Sequence, residues 1–477
     1  MVGVDALEAR ACRPDFAVWR GQVARAGFCV RPVRVSGRAA AVDTSSGEVL
    51  AQTSTADAPD GVLLVACGDR RAAVCPPCSR TYRADAWHMI AAGMRGRTPT
   101  GEDDAVPSSV GEHPALFLTL TAPGFGAVHA ARDGGAPCRL PRGRKKTCPH
   151  GRPAGCGLVH EPDHPAVGTP VCPDCWDYTG AVLWNASLGE LWRRTRIGIE
   201  RALAPAASAA LGRKVGVREV PRLLRLSYVK VVEFQRRGLA HVHAVLRLDG
   251  VVPGDRSAVV APPSWATAEL LASAVRSAVA STAFALPSPD GVARVAEWGS
   301  QLDVRPLDDP AKAAGYLAKY ATKTVDADSD ALARRLRRLD RAALTREVGA
   351  HLARMVATCW ELGKRRDLSG LRLRRWAHCL GYRGHFTTKS RAYSLTLGVL
   401  RAVRRAWRAR ESRKAGRADV WGLEGAEVVG AWSYAGSGYL GAADVLIAHR
   451  MAQDRAVARA EYKAVLRREA QMAVWAA

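Results

Sequence analysis

The stretch Glu233-Phe-Gln-Arg-Arg-Gly-Leu-Ala-His241-Val-His243 carries side chains that could hold a divalent cation. On a strand, successive side chains alternate between faces, so His241 and His243 project from the same side. Val242, Ala244, Leu246 and Leu248 then project to the other side and suit a core. A three-residue hairpin loop favours glycine at its left-handed position, and Arg236-Arg237-Gly238 fits that pattern. This register sets Glu233 opposite His241 and Val231 opposite His243. Two imidazoles and one carboxylate converge on one face, with positions left open for a substrate. Gln235 is a replacement or additional ligand if the register differs. The bland alternative is a wet strand face, and the opposing carboxylate and the glycine turn argue against it.

A second group lies downstream in Gly315-Tyr316-Leu-Ala-Lys319-Tyr320-Ala-Thr-Lys323. Pro310 suits the first turn of a helix, with Asp308 or Asp309 as its cap. At helical spacing Tyr316, Lys319, Tyr320 and Lys323 share a face. Two phenols and two ammonium groups on one face suit attack on a phosphate. The phenolate is the nucleophile, and lysine lowers its pKa and offsets phosphate charge.

These motifs, taken in order, resemble the HUH endonucleases that start rolling-circle replication. The likeness is greatest to plasmid replication initiators of high-GC Gram-positive bacteria, and rolling-circle transposases carry similar motifs. Phe117-Leu118-Thr119-Leu120-Thr121 looks like the first strand signature of such initiators. Trp184-Asn185-Ala186, Leu302-Asp303-Val304-Arg305-Pro306 and Arg383-Gly384-His385-Phe386 look similar as well. Conjugative relaxases place the tyrosine near the N-terminus, unlike this chain. The resemblance implies Tyr316 as nucleophile, three residues before Lys319, and a second transfer by Tyr320. It implies His241, His243 and Glu233 around Mg²⁺ or Mn²⁺, a 5′-phosphotyrosine link and a free 3′-OH primer. Partners implied are origin DNA, single-stranded at the nick, with a host helicase and polymerase. No GxxxxGK[ST] phosphate loop is present, so unwinding falls to the host.

Composition agrees with a polyanionic partner. The 477 residues carry a formal net charge of +25, which points first to nucleic acid. No apolar run approaches the ~18 residues of a membrane span, and no apolar signal segment opens the chain. A cytoplasmic location is expected. The twelve cysteines are then metal ligands or buried thiols rather than disulfides.

Eight of them lie from Cys67 to Cys175. Cys75-Pro-Pro-Cys78 and Cys172-Pro-Asp-Cys175 are knuckles of the kind that make half a tetrahedral zinc site. If the two knuckles share one ion, they staple an insertion onto the catalytic core. Cys67, Cys138, Cys148, His150, Cys156, His160 and His164 remain for a second structural zinc. The spacing leaves the grouping open, and some of these cysteines could be buried hydrophobes.

The elements that must position these groups form an α+β fold, an antiparallel HUH sheet with helices on one face. Residues 1–60 read as a variable arm and linker. Residues 61–180 read as a cysteine-rich zinc region interleaved with the first strand at 113–122. The core follows over 181–325, with helices at 181–213 and 267–284. A basic helical DNA-binding region spans 326–415, and a tail with a helix spans 416–477. Candidate DNA contacts are Arg144, Lys145, Lys146, Lys323, Arg383 and Lys389. A helix-turn-helix is conceivable between 346 and 400, with no turn signature to support it. The competing functions are a transposase with the same core and a non-catalytic zinc-containing regulator.

Overall fold

The computed structural model describes residues 3–96, 106–139, 147–323, 331–332, 334–414 and 425–475. The chain divides into two compact units, one over 85–397 and the other built from 1–84 with 398–477.

The larger unit is organised on a five-stranded antiparallel sheet. Its strands are β1 (Ala115–Leu120), β2 (Leu224–Phe234), β3 (Ala240–Gly250), β4 (Leu302–Pro306) and β5 (Thr387–Lys389), in the order β5-β2-β3-β1-β4. Alternation sorts the two faces. Leu116, Leu118 and Leu120 of β1 pair with Leu246, Ala244 and Val242 of β3, and Val232 and Leu226 of β2 pair with Val242 and Leu248. All are buried against helices α1 (Tyr178–Leu211) and α2 (Ala268–Ser281). The two helices meet where Gly198 lies against Ala278, leaving no ordinary clearance for a Cβ. Asp177 caps α1 by accepting from the Gly180 N–H, and Arg294 holds the cap carboxylate.

The opposite face is covered too, which departs from the expectation of helices on one face only. Val229, Val231 and Val245 on that side are fully buried. Helix α3 (Pro310–Tyr320) packs over the histidine end of this face. At the other end Arg247 and Asp249 are buried together. The Asp249 carboxylate accepts from Arg247, His113 and Ser227, and Arg247 also donates to the carbonyls of Gly93 and Tyr393. Burial alone would raise the Asp249 carboxyl, but the His113 and Arg247 donors hold it below its ordinary value. Removing one partner strands the other's charge in a dry site, at about 3–5 kcal/mol. Asp249→Ala should therefore lower unfolding stability by that amount, read from urea denaturation.

The region expected as basic helices holds helices Arg341–Leu362 and Leu397–Lys414, and between them it also contributes a strand to the sheet. Helix α4 (Arg341–Leu362) is followed by 3₁₀ turns over Arg366–Leu371 and Leu373–Cys379, then by β5. No helix-turn-helix occurs there among the described residues. Tyr382 and Phe386 pack on Phe234, and this apolar contact directs the segment onto the β2 edge.

In the smaller unit, residues 1–60 hold helices Val4–Ala11 and Phe16–Arg25 and strands Val33–Asp43 and Val49–Ser54. Strand Val33–Asp43 pairs along its length with Ala426–Ser437 near the other end of the chain. Arg10, buried, joins the Asp60 and Asp444 carboxylates at 2.9 and 2.6 Å. The Tyr439 hydroxyl donates to the Cys29 carbonyl. No helix among the described residues is long and apolar enough to cross a membrane.

Candidate active site and metal-ligand clusters

The β2–β3 register is the one the turn demands, with Glu233 opposite His241 and Val231 opposite His243. Gly238 has φ 73°, the left-handed conformation that glycine adopts without steric cost. The turn is then pinned from three directions. Asn185 of α1, fully buried, donates to the Gly238 and Leu380 carbonyls and accepts from the Ala240 N–H. Arg237 donates to the carbonyls of Ala122 and Pro123 just after β1. His351 of α4 lies 3.0 Å from the Arg237 carbonyl. Asn185→Ala would leave three buried backbone groups unsatisfied. We expect a loss of about 2–4 kcal/mol on chemical denaturation, and Asn185→Asp, which sets a buried carboxylate oxygen against the Gly238 and Leu380 carbonyls, should lose at least as much.

Glu233, His241 and His243 offer ligand atoms that all lie within 4.8 Å of one another. Thr119 of β1 orients His243 through its Nδ1 at 3.1 Å. His243 Nε2 is 3.5 Å from Glu233 Oε1, and both it and His241 Nδ1 are buried without a hydrogen-bond partner. Buried polar atoms left unpaired are costly, and a cation bound by these atoms would relieve that. Burial, with the neighbouring His243, pulls His241 down to about 4. It is thus neutral at pH 7 and able to donate a lone pair. Gln235 is not turned to this set; its side-chain oxygen accepts from Arg237.

Helix α3 is capped by Asp309, whose carboxylate accepts from the Lys312 N–H, with Pro310 in the first turn. It brings both tyrosines over the histidines. The Tyr316 and Tyr320 rings each lie 5.0 Å from the His243 ring and 4.5 Å from each other. Tyr316 also meets Phe117 edge-on and keeps 40% of its surface exposed. The lysines serve Tyr320 rather than Tyr316. Lys323 Nζ is 4.2 Å and Lys319 Nζ 5.9 Å from the Tyr320 ring centre. Lys323 also pairs with Glu233 at 3.1 Å. Burial, with the adjacent Tyr320 hydroxyl, pushes the Tyr316 phenol up. The expected lowering of its pKa by lysine is therefore not met in the free protein, where burial and the Tyr320 hydroxyl dominate.

Nine cysteines and three histidines gather into three quartets. Cys29, Cys67, Cys75 and Cys78 form one, in the smaller unit. His129, Cys138, Cys156 and His160 form a second. Cys148, His150, Cys172 and Cys175 form the third. Each could hold a metal, in keeping with structural zinc. The two C-x-x-C knuckles do not share a quartet, so of the groupings the sequence left open the one in which they staple an insertion is not adopted. A knuckle's spacing fixes two thiolates on one ion and leaves the other two ligands to the fold. Cys29 had no signal in the sequence, since its nearest fellow ligand, Cys67, is 38 residues on, and His129, nine residues before Cys138, falls outside knuckle spacing. His164 stands outside all three quartets, although its ring stacks near His160.

Of the candidate DNA contacts, Arg144, Lys145 and Lys146 lie outside the described residues. Arg383 is exposed and donates to the Gly370 carbonyl. The Lys389 ammonium is taken up by the carbonyls of Ser390, Arg391 and Ser394, which leaves it poorly placed to meet a phosphate.

Comparison with known proteins decides the family. The family described as RepSA, "Replication initiator protein, pSAM2", matches residues 15–453. The chain belongs to this replication initiator family. A Streptomyces ambofaciens protein named "Replication initiator protein" is 41% identical over 468 residues, covering 94% of this chain and 93% of the relative. No solved structure matches.

Proposed function

We propose that this replication initiator is an HUH-type nickase that opens one strand of plasmid origin DNA by tyrosine transesterification. The observation that supports it most is the half-exposed Tyr316 ring held 5.0 Å from His243, beside a buried ligand set with unpartnered nitrogens. Glu233, His241 and His243 would hold Mg²⁺ or Mn²⁺, which polarises the scissile phosphate. Tyr316 Oη attacks phosphorus as its phenolic proton passes to water, the bond to the 3′-oxygen breaks, and that oxygen takes a proton from water. The products are a 5′-phosphotyrosine and a 3′-OH. Lys319, exposed at the rim, and Lys323, paired with Glu233, would offset phosphate charge as it develops. The link retains the phosphodiester's bond energy, so rejoining needs no ATP. Tyr320 stands in reach for a second transfer, and host helicase and polymerase would extend the primer.

The test is direct. Incubated with supercoiled origin plasmid and Mg²⁺ or Mn²⁺, the protein should give a nicked circle with protein on its 5′ end. Binding without any nick in either metal would reduce it to a zinc-containing DNA-binding protein.

A further inference from the structure

Two of the cysteine–histidine quartets are interleaved along the chain. Their ligands fall in four successive pairs: His129 and Cys138, Cys148 and His150, Cys156 and His160, Cys172 and Cys175. The first and third pairs meet in one quartet, and the second and fourth in the other. The separations match the edges of metal tetrahedra. Zinc–sulfur bonds near 2.3 Å and zinc–nitrogen bonds near 2.0–2.1 Å set edges of about 3.8 Å between thiolates. The same bonds set about 3.3 Å between imidazole nitrogens and about 3.6 Å for mixed pairs. His129 Nδ1 and His160 Nε2 are 3.3 Å apart, with Cys156 at 3.4 Å from His160 and Cys138 at 3.7 Å from His129. In the other quartet His150 Nδ1 is 3.2 Å from Cys175 and 3.9 Å from Cys172. In the smaller unit Cys29 and Cys75 are 3.7 Å apart.

We infer that the segment between His129 and Cys175 is a cross-braced module holding two zinc ions, and that the Cys29, Cys67, Cys75 and Cys78 quartet holds a third. All three sites are closed, with four protein ligands and no position for a substrate, which marks them as structural. The module has little apolar interior to replace the metal. Leu158 and Val159 are exposed, and reciprocal backbone hydrogen bonds between Arg139 and Cys156 tie its two halves. Zinc ligation supplies the order that burial does not. The module also seats the nick-site hairpin. The His164 carbonyl accepts from Arg236, and Gly168, with φ 88°, lies against the Arg236 side chain where a Cβ would clash.

Elemental analysis of the full-length purified chain should find three zinc ions per molecule; fewer than three overturns the proposal. The pairing is read from cobalt-substituted protein. Cys156→His should take one thiolate from the two-sulfur site and leave the three-sulfur bands unchanged, whereas Cys148→His should do the converse. A sequential partition, first pair with second and third with fourth, reverses both results and overturns the cross-brace. Should a swap fail to fold, cadmium-113 in the wild-type chain gives the same assignment. The β-protons of Cys138 and Cys156 should then couple to one cadmium and those of Cys148, Cys172 and Cys175 to another. None of these readouts involves DNA, so the outcome is independent of nicking.

Discussion

Tyr316→Phe should abolish the covalent protein–DNA adduct, and Tyr320→Phe should leave its formation in place. Each change keeps the ring that packs on His243 and removes only the hydroxyl, so folding is spared. Loss of a nucleophile in other enzymes costs on the order of 10⁶-fold, and we expect at least about 10⁴-fold here. The readout is a denaturing gel with origin oligonucleotide labelled 3′ of the nick. If Tyr320→Phe removes the adduct and Tyr316→Phe does not, the nucleophile is one helical turn along. An adduct from both singles would mean either tyrosine suffices, and an adduct from the double variant would end the tyrosine mechanism. A subtler result is expected for Tyr320→Phe. If Tyr320 performs the second transfer, the variant should accumulate the first adduct and fail to release rejoined circles.

His243→Ala should stop cleavage and leave origin binding nearly intact. His243 is where the site converges: Thr119 orients one nitrogen, Glu233 faces the other, and both tyrosine rings pack against it. Loss of cation polarisation is worth several kcal/mol of barrier, or on the order of 10³-fold in rate. Binding by exposed cations is spread over many residues and should change little. A nicking time course beside a filter-binding titration separates the two. Wild-type cleavage in the variant would remove the metal assignment. Partial rescue by raising Mn²⁺ would instead locate the defect in metal affinity.

The two halves of the candidate site were legible in sequence for different reasons. The hairpin was readable because strand periodicity is two and a glycine loop fixes the pairing of Glu233 with His241. The tyrosine helix was readable because Asp309 and Pro310 mark its start and four-residue spacing stacks Tyr316 on Tyr320. Asn185 was noticed only as part of a family-like triplet. Its role depends on a turn more than fifty residues away, and no local pattern encodes that. The grouping of cysteines was illegible for the same reason, since spacing specifies pairs and the fold specifies quartets. Strand β5 is three residues long, too short for any period to show. The covered second face of the sheet escaped because Val229, Val231 and Val245 share it with Ser227, Glu233, His241, His243 and Arg247, polar groups that read as a solvated face.

The pairing of Val33–Asp43 with Ala426–Ser437 has a consequence for synthesis. A ribosome must pass Ser437 before strand Val33–Asp43 can gain its longest pairing, with Ala426–Ser437. Until then the early segment has neither Tyr439 at the Cys29 carbonyl nor Asp444 at Arg10. The larger unit, by contrast, has all its strands by Lys389. A nascent chain thus holds the strand that carries His241 and the helix that carries Tyr316 before it can close the smaller unit. Premature termination after Lys389 would release a chain with that sheet's strands intact and with Val33–Asp43 paired on one side only, to Val49–Ser54 and Leu63–Val65, its other edge open to proteases.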